Sequence, residues 1–171
     1  RSVLKSEGVG VAAGQAAQLL DAETGRKEFF AGRVVFVDLD RSGRVLHLIG
    51  RCFAPWLGED SVRYLALRGV AKTLYGYAQL DRRPSRKPVI VVESPPDRLT
   101  AVQAGIDAVA VCGTALREEH AAQLARLKRP LIFVPHNDES GTGFEAVCRW
   151  RDAVGKGEIV QLPRGVKDLN A

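Results

Sequence analysis

Apolar residues along this chain follow two rhythms. In the second half they come as short solid runs: Val89-Ile90-Val91-Val92, Ala108-Val109-Ala110-Val111 and Leu131-Ile132-Phe133-Val134, then the mixed run Glu158-Ile159-Val160-Gln161-Leu162. A run without polar alternation predicts a strand covered on both faces. Between the runs the spacing predicts three helices. One covers 97–104, one follows a cap at Thr114 with Ala121, Leu124 and Leu127 on one face, and one covers 143–154. Gly105 and Gly155 stop the first and third. Four strands alternating with three helices on short links predict a mainly parallel sheet with helices on both faces.

The first half alternates instead. Val34–Val37 and Val45–Ile49 flank the turn Asp40-Arg41-Ser42-Gly43 and predict a hairpin. A short helix is expected over 15–20, and a further segment over 70–78 is built around Leu74-Tyr75-Gly76-Tyr77. The stretch 81–88 is polar and basic and holds two prolines, so it neither continues a helix nor pairs as a central strand. It divides the chain into an α+β domain over 1–87 and an α/β domain over 88–171.

Composition narrows the class. The 171 residues are 46% hydrophobic and 26% charged, a folded rather than disordered balance. No apolar run approaches the ~18 residues of a membrane helix. The chain begins with Arg1 and has no Met, as expected for a piece of a longer protein. Cys52, Cys112 and Cys148 are scattered, without a Cys-x-x-Cys pair, which argues against a zinc module and for a reducing compartment. With no leader in view, the cytoplasm is the expected location. Charge is uneven: residues 1–87 carry 15 Lys/Arg against 9 Asp/Glu, and residues 88–171 carry 10 against 11. A basic front half suits a polyanion partner, or is simply a solvated surface.

Ligands of doubly wound sheets bind beyond the carboxyl ends of the strands. Glu93 and Asp97 follow the first solid run, His136-Asn137-Asp138 follows the third, and Lys167-Asp168 lies beyond the fourth. Parallel strands bring these segments to one edge. Carboxylates gathered there repel unless a cation neutralises them, and Mg²⁺ takes a few carboxylates together with phosphate oxygens and waters. That suits phosphoryl or nucleotidyl chemistry. A P-loop and a dinucleotide fingerprint are both absent. Cys112 reads as inert burial, His47 and His120 as surface or packing residues, and Trp56, Tyr64, Tyr75 and Tyr77 as packing more than base stacking.

In order along the chain, Gly32-Arg33-Val34-Val35-Phe36, Gly50-Arg51, Arg63-Tyr64-Leu65 and Lys72-Thr73-Leu74-Tyr75-Gly76 precede Val89–Glu93, Asp97, Gln103–Ile106, Gly113–Leu116, Asn137–Gly141 and Lys167-Asp168. This ordered set resembles the Toprim domain of bacterial DnaG-type primases together with the basic subdomain before it. The resemblance implies an α/β Toprim fold of four mainly parallel strands flanked by helices, preceded by a small α+β basic subdomain. It also implies synthesis of RNA primers on single-stranded DNA from ribonucleoside triphosphates, with Mg²⁺ or Mn²⁺, and a helicase met through regions outside this chain. Glu93 and Asp138 would be catalytic. Glu93, Asp97, His136, Asp138 and Asp168 would be metal-binding, and Arg51, Arg63, Lys72 and Lys167 would bind nucleic acid or nucleotide. One departure falls at the metal: His136 stands where the family carries the first Asp of an Asp-x-Asp pair. Two alternatives stay open, a Toprim nuclease and a non-catalytic nucleic-acid-binding module.

Overall fold

The computed structural model describes residues 2–53, 62–80 and 84–170. Trp56 and the Asp81-Arg82-Arg83 part of the basic link lie outside the described residues. By packing, the chain divides into two compact units, one of residues 1–37 with 45–71 and one of 38–44 with 72–171.

The first unit opens with two short helices, α1 (Ser2–Ser6) and α2 (Val11–Ala16), the latter lying ahead of the helix expected over 15–20. A three-stranded sheet follows, in the order β1 (Arg33–Leu39), β2 (Val45–Cys52), β3 (Tyr64–Ala66). β2 and β3 are antiparallel, with Ile49 opposite Ala66 and Arg51 opposite Tyr64. Alternation along β1 buries Phe36 and Asp38 while leaving Val35 and Val37 exposed.

The second unit holds the parallel sheet. Its strands are β4 (Val89–Val92), β5 (Ala108–Ala110), β6 (Leu131–Phe133) and β7 (Glu158–Ile159), in the spatial order β5-β4-β6-β7 and parallel at every pairing. The solid apolar runs are the reason: Val89, Val91, Val109 and Phe133 are wholly enclosed. Three helices connect these strands, α3 (Pro95–Gln103), α4 (Glu118–Ala125) and α5 (Thr142–Val154). The first connection runs from β4 outward to β5, and the second returns past β4 to β6. Right-handed crossovers then put α3 on one face and α4 with α5 on the other. The chain therefore reverses its winding at β4, and the crevice between the carboxyl ends of β4 and β6 is the switch point where such sheets place ligands.

Local chemistry sets the helix ends. α3 starts two residues earlier than its apolar spacing predicts, because Pro95 and Pro96 fill a first turn that needs no N–H donors. Ser94 caps it, its Oγ accepting from Asp97 N. α4 starts after Arg117, not at Thr114, whose carbonyl instead accepts a bond from the buried Trp150 Nε1. On α5, Ala146, Val147, Trp150 and Val154 form the buried stripe against Leu124 and Leu127. Residues 72–80 precede the boundary expected at 87/88, yet they pack in this unit. Leu74 and Tyr75 are buried, and Tyr75 exchanges two backbone bonds with Ala110, covering the open edge of β5. No helix among the described residues is long and apolar enough to cross a membrane.

Candidate metal centre

The site is built on the turns that leave β4 and β6. β4 ends at Val92, so Glu93 stands at the strand's carboxyl end and Asp97 falls in the first turn of α3. Asp97 is 1% exposed. Its Oδ2 accepts from Ser94 Oγ at 2.5 Å and lies 2.8 Å from His136 Nε2. The other ring nitrogen of His136, Nδ1, is 3.5 Å from Glu93 Oε2. The imidazole therefore sits between two carboxylates delivered by β4. Its pKa is raised, first by the bond to Asp97 and further by the charges of Asp97, Glu93 and Asp168, against the opposing effect of burial. Burial pulls Asp97 upward, yet the bonds from His136 and Ser94 outweigh it and hold the carboxyl below its usual range.

Asp168 completes the group. Among the described residues, Asp97, His136 and Asp168 form a set whose ligand atoms all lie within 4.8 Å of one another. Asp97 Oδ1 is buried and has no hydrogen-bond partner among the described residues. An orphaned carboxylate oxygen in a buried position is costly unless something positive approaches it. Two carboxylates and one imidazole within that span, with one oxygen unsatisfied, fit a divalent cation.

Asp138 is bound into the turn before α5. Its Oδ2 accepts from Gly143 N at 2.9 Å and its Oδ1 from Ser140 Oγ at 3.0 Å, so both oxygens serve the start of α5. The backbone bond from Gly143 is the main cause of its lowered pKa. Among the basic candidates, Lys72 belongs to this unit, and its Nζ donates to the Cys112 carbonyl at 3.4 Å. Cys112 N in turn donates to Glu93 O, which sets Lys72 on the same rim as the carboxylates. Lys167 is exposed beside Asp168. Arg51 and Arg63 belong to the first unit, where the Arg63 guanidinium lies 5.9 Å over the Tyr64 ring. Burial pushes the Cys112 thiol up to about 12, which leaves it unreactive. A cavity of about 710 Å³ adjoins the centre and is lined by His136, Asn137, Asp138, Phe144, Gln161 and Arg164.

Asn137, which the sequence marks only as the first residue of the Asn137–Gly141 motif, fastens the segment that carries Asp168 to the site. Its Nδ2 donates to the carbonyls of Leu162 (3.1 Å), Pro163 (3.2 Å) and Val166 (2.8 Å), and its backbone N–H donates to Lys167 O at 2.8 Å. One residue thus clamps the segment that carries Asp168 against the segment that carries His136. Asn137→Ala should weaken divalent-metal binding by about 10- to 100-fold, the usual scale for an outer-shell partner. Calorimetric titration with Mn²⁺ checks this, and an unchanged affinity would mean Asp168 holds its place without the clamp.

A doubly wound sheet with carboxylates gathered at its switch point is the arrangement of a Toprim domain. Residues 90–171, the larger part of the second unit, match the Toprim-like family model, and this segment is a Toprim domain. The chain as a whole is similar to the catalytic core of DnaG-type DNA primases. It is 33% identical over 129 residues to a DNA primase of Pseudomonas aeruginosa, a match covering 71% of this chain and 19% of that protein. It superposes with TM-score 0.76 and 26% identity on the zinc-binding and RNA polymerase domains of the Aquifex aeolicus primase, covering 97% of this chain and 43% of that one. A DnaG primase catalytic domain solved bound to single-stranded DNA gives TM-score 0.71 at 26% identity, over 98% of this chain and 56% of that one. The chain spans 19–24% of the length of the curated relatives it matches.

Proposed function

We propose that this chain is the polymerising core of a DNA primase, joining ribonucleotides on a single-stranded DNA template with a divalent metal. The observation that carries the reading is the Asp97, His136 and Asp168 cluster, with its unsatisfied Asp97 oxygen, at the β4/β6 switch point. The similarity to primase catalytic cores, one of them solved with single-stranded DNA, supports it.

The residues divide the work by position. A divalent cation at the cluster would neutralise phosphate oxygens and make a bound hydroxyl more acidic. Glu93, next to His136 and partly open to solvent, is placed to take the proton of the attacking hydroxyl. Lys72 and Lys167 add positive charge at the rim for phosphates. Phe144 and Arg164 line the adjoining cavity, an apolar ring and a cation suited to a nucleotide. Asp138 acts at one remove, holding the start of α5 beside His136. Arg51 and Arg63 supply phosphate contacts for the template from the first unit.

The test is an incorporation assay with a single-stranded template, ribonucleoside triphosphates and a divalent metal. Template-dependent oligoribonucleotides are expected, and Glu93→Gln should reduce them by about 100-fold or more while single-stranded DNA affinity stays near the parent's. Template cleavage in the absence of nucleotides would replace this reading with a nuclease. Salt-sensitive DNA binding with neither product would leave only a binding module.

A further inference from the structure

The cluster at the switch point is not all oxygen. One of its three ligand positions is an imidazole nitrogen, and that imidazole is built in rather than loosely placed. His136 Nε2 and Nδ1 face Asp97 and Glu93 at 2.8 and 3.5 Å. Asp97 is itself fixed by the Ser94 bond in the first turn of α3. A ring held by two carboxylates from β4 swings out only by leaving both unpaired. An ion entering between Asp97 and Asp168 must therefore displace the proton of the imidazole nitrogen it meets and take that nitrogen as a ligand. The waiting oxygen, Asp97 Oδ1, is buried and unpartnered among the described residues.

Mg²⁺ is hard, asks for near-ideal octahedral oxygen coordination and keeps several of its waters. Imidazole suits later, softer divalent ions, and affinity at mixed nitrogen and oxygen sites rises along the first transition row. We propose that the Asp97, His136 and Asp168 cluster prefers a divalent cation that accepts imidazole, of the Mn²⁺ to Zn²⁺ class, over Mg²⁺, and that His136 sets this preference. The proposal rests on the metal-dependent reading above and specifies which ions that same site takes. Two carboxylates keep the site open to Mn²⁺, which tolerates both oxygen and nitrogen donors, so Mn²⁺ is the probe of choice.

The experiment is calorimetric titration of the whole chain with MnCl₂ and, separately, MgCl₂, together with electron spin-echo spectroscopy of the Mn²⁺ complex. The parent should bind Mn²⁺ about 10- to 100-fold more tightly than Mg²⁺, the scale on which single changes around a metal act. Its echo should carry ¹⁴N modulation from a bound imidazole. His136→Asp should remove the modulation and narrow the preference by strengthening Mg²⁺ binding. His136→Asn, a second variant of similar size, should also lose the modulation while gaining nothing for Mg²⁺. Bound Mn²⁺ without ¹⁴N modulation in the parent overturns the proposal. So does an unchanged Mn²⁺-to-Mg²⁺ ratio in His136→Asp, or modulation that persists in both variants. Mg²⁺ bound as tightly as Mn²⁺ by the parent overturns this inference and leaves the primase reading standing. Binding of neither ion overturns both, and leaves His136 as the site's own fixed cation.

Discussion

Replacing Asp97 by Asn should lower primer synthesis by about 10²- to 10⁴-fold, the several kcal/mol that metal-held charge contributes to a transition state at about 1.4 kcal/mol per tenfold. The side chain keeps its size and its place under Ser94, so the loss is one of charge rather than of shape. Without the carboxylate the cluster keeps one acid and one imidazole, too little to hold a divalent ion firmly. Breaking a buried ion pair is usually destabilising because the surviving charge is stranded. Here the survivor is a histidine that releases its proton, so the stability change depends on pH. His136 has a raised pKa in the folded protein, so its contribution is fully present below its ordinary value of 6.5 and fades as pH rises through the raised value. Asp97 has a lowered pKa, so its contribution is present above its ordinary value of 3.8 and fades as pH falls through the lowered value. The parent should therefore exceed Asp97→Asn in melting temperature most clearly between those two pH values, and the gap should shrink in mild alkali. NMR titration should show the His136 pKa falling in the variant, since the carboxylate that does most to raise it is gone. Full activity in a folded Asp97→Asn protein would remove Asp97 from the chemistry.

How much of this was legible in the sequence depended on whether the signal was local. The runs Val89–Val92 and Leu131–Phe133 announced interior parallel strands because burial on both faces leaves no polar alternation. Their carboxyl ends then located Glu93, Asp97 and His136 without knowledge of any contact. β7 came out short, at Glu158–Ile159, because it lies at the edge of the sheet, where Val160 is already exposed. What was not legible is what depends on partners far along the chain. Nothing near Asn137 signals that its amide serves carbonyls 25 to 29 positions away. Residues 72–80 read as part of the first domain until Leu74 and Leu80 are seen in the core of the second unit. Asp138 follows its strand as expected, but that its oxygens accept from Gly143 N and Ser140 Oγ is set by the turn into α5. Arg98 carries no local signal of burial, since arginines mostly face solvent, yet it is 8% exposed.

Arg98 is also the reason that Gly76→Ala should be strongly damaging, costing about 2–5 kcal/mol in all. Gly76 sits at φ +83°, a left-handed conformation that costs an L-residue roughly 1–2 kcal/mol. A Cβ built there would lie 1.9 Å from Arg98 Nε and 2.4 Å from its Cζ, so the guanidinium must move. It has nowhere equivalent to go. Nε donates to Ala108 O at 3.2 Å, an Nη donates to Gln79 Oε1 at 2.7 Å, and the group lies 5.1 Å over the Tyr75 ring. Loosening a buried charged donor from such bonds costs about 1–3 kcal/mol. At roughly 2–4 °C per kcal/mol for a protein of this size, the melting temperature should fall by about 4–20 °C. Gly105→Ala is the matched comparison, because Gly105 has φ +77° but open space where its Cβ would point, and it should show the backbone cost alone. Equal melting temperatures for the two variants would mean that Arg98 gives way freely. The consequence reaches the metal centre, since Arg98 follows Asp97 in the first turn of α3 and a shifted guanidinium disturbs that turn. A second measurement therefore separates global from local damage: below its melting transition, Gly76→Ala should bind Mn²⁺ more weakly than the parent, whereas Gly105→Ala, at the far end of α3, should bind it as the parent does.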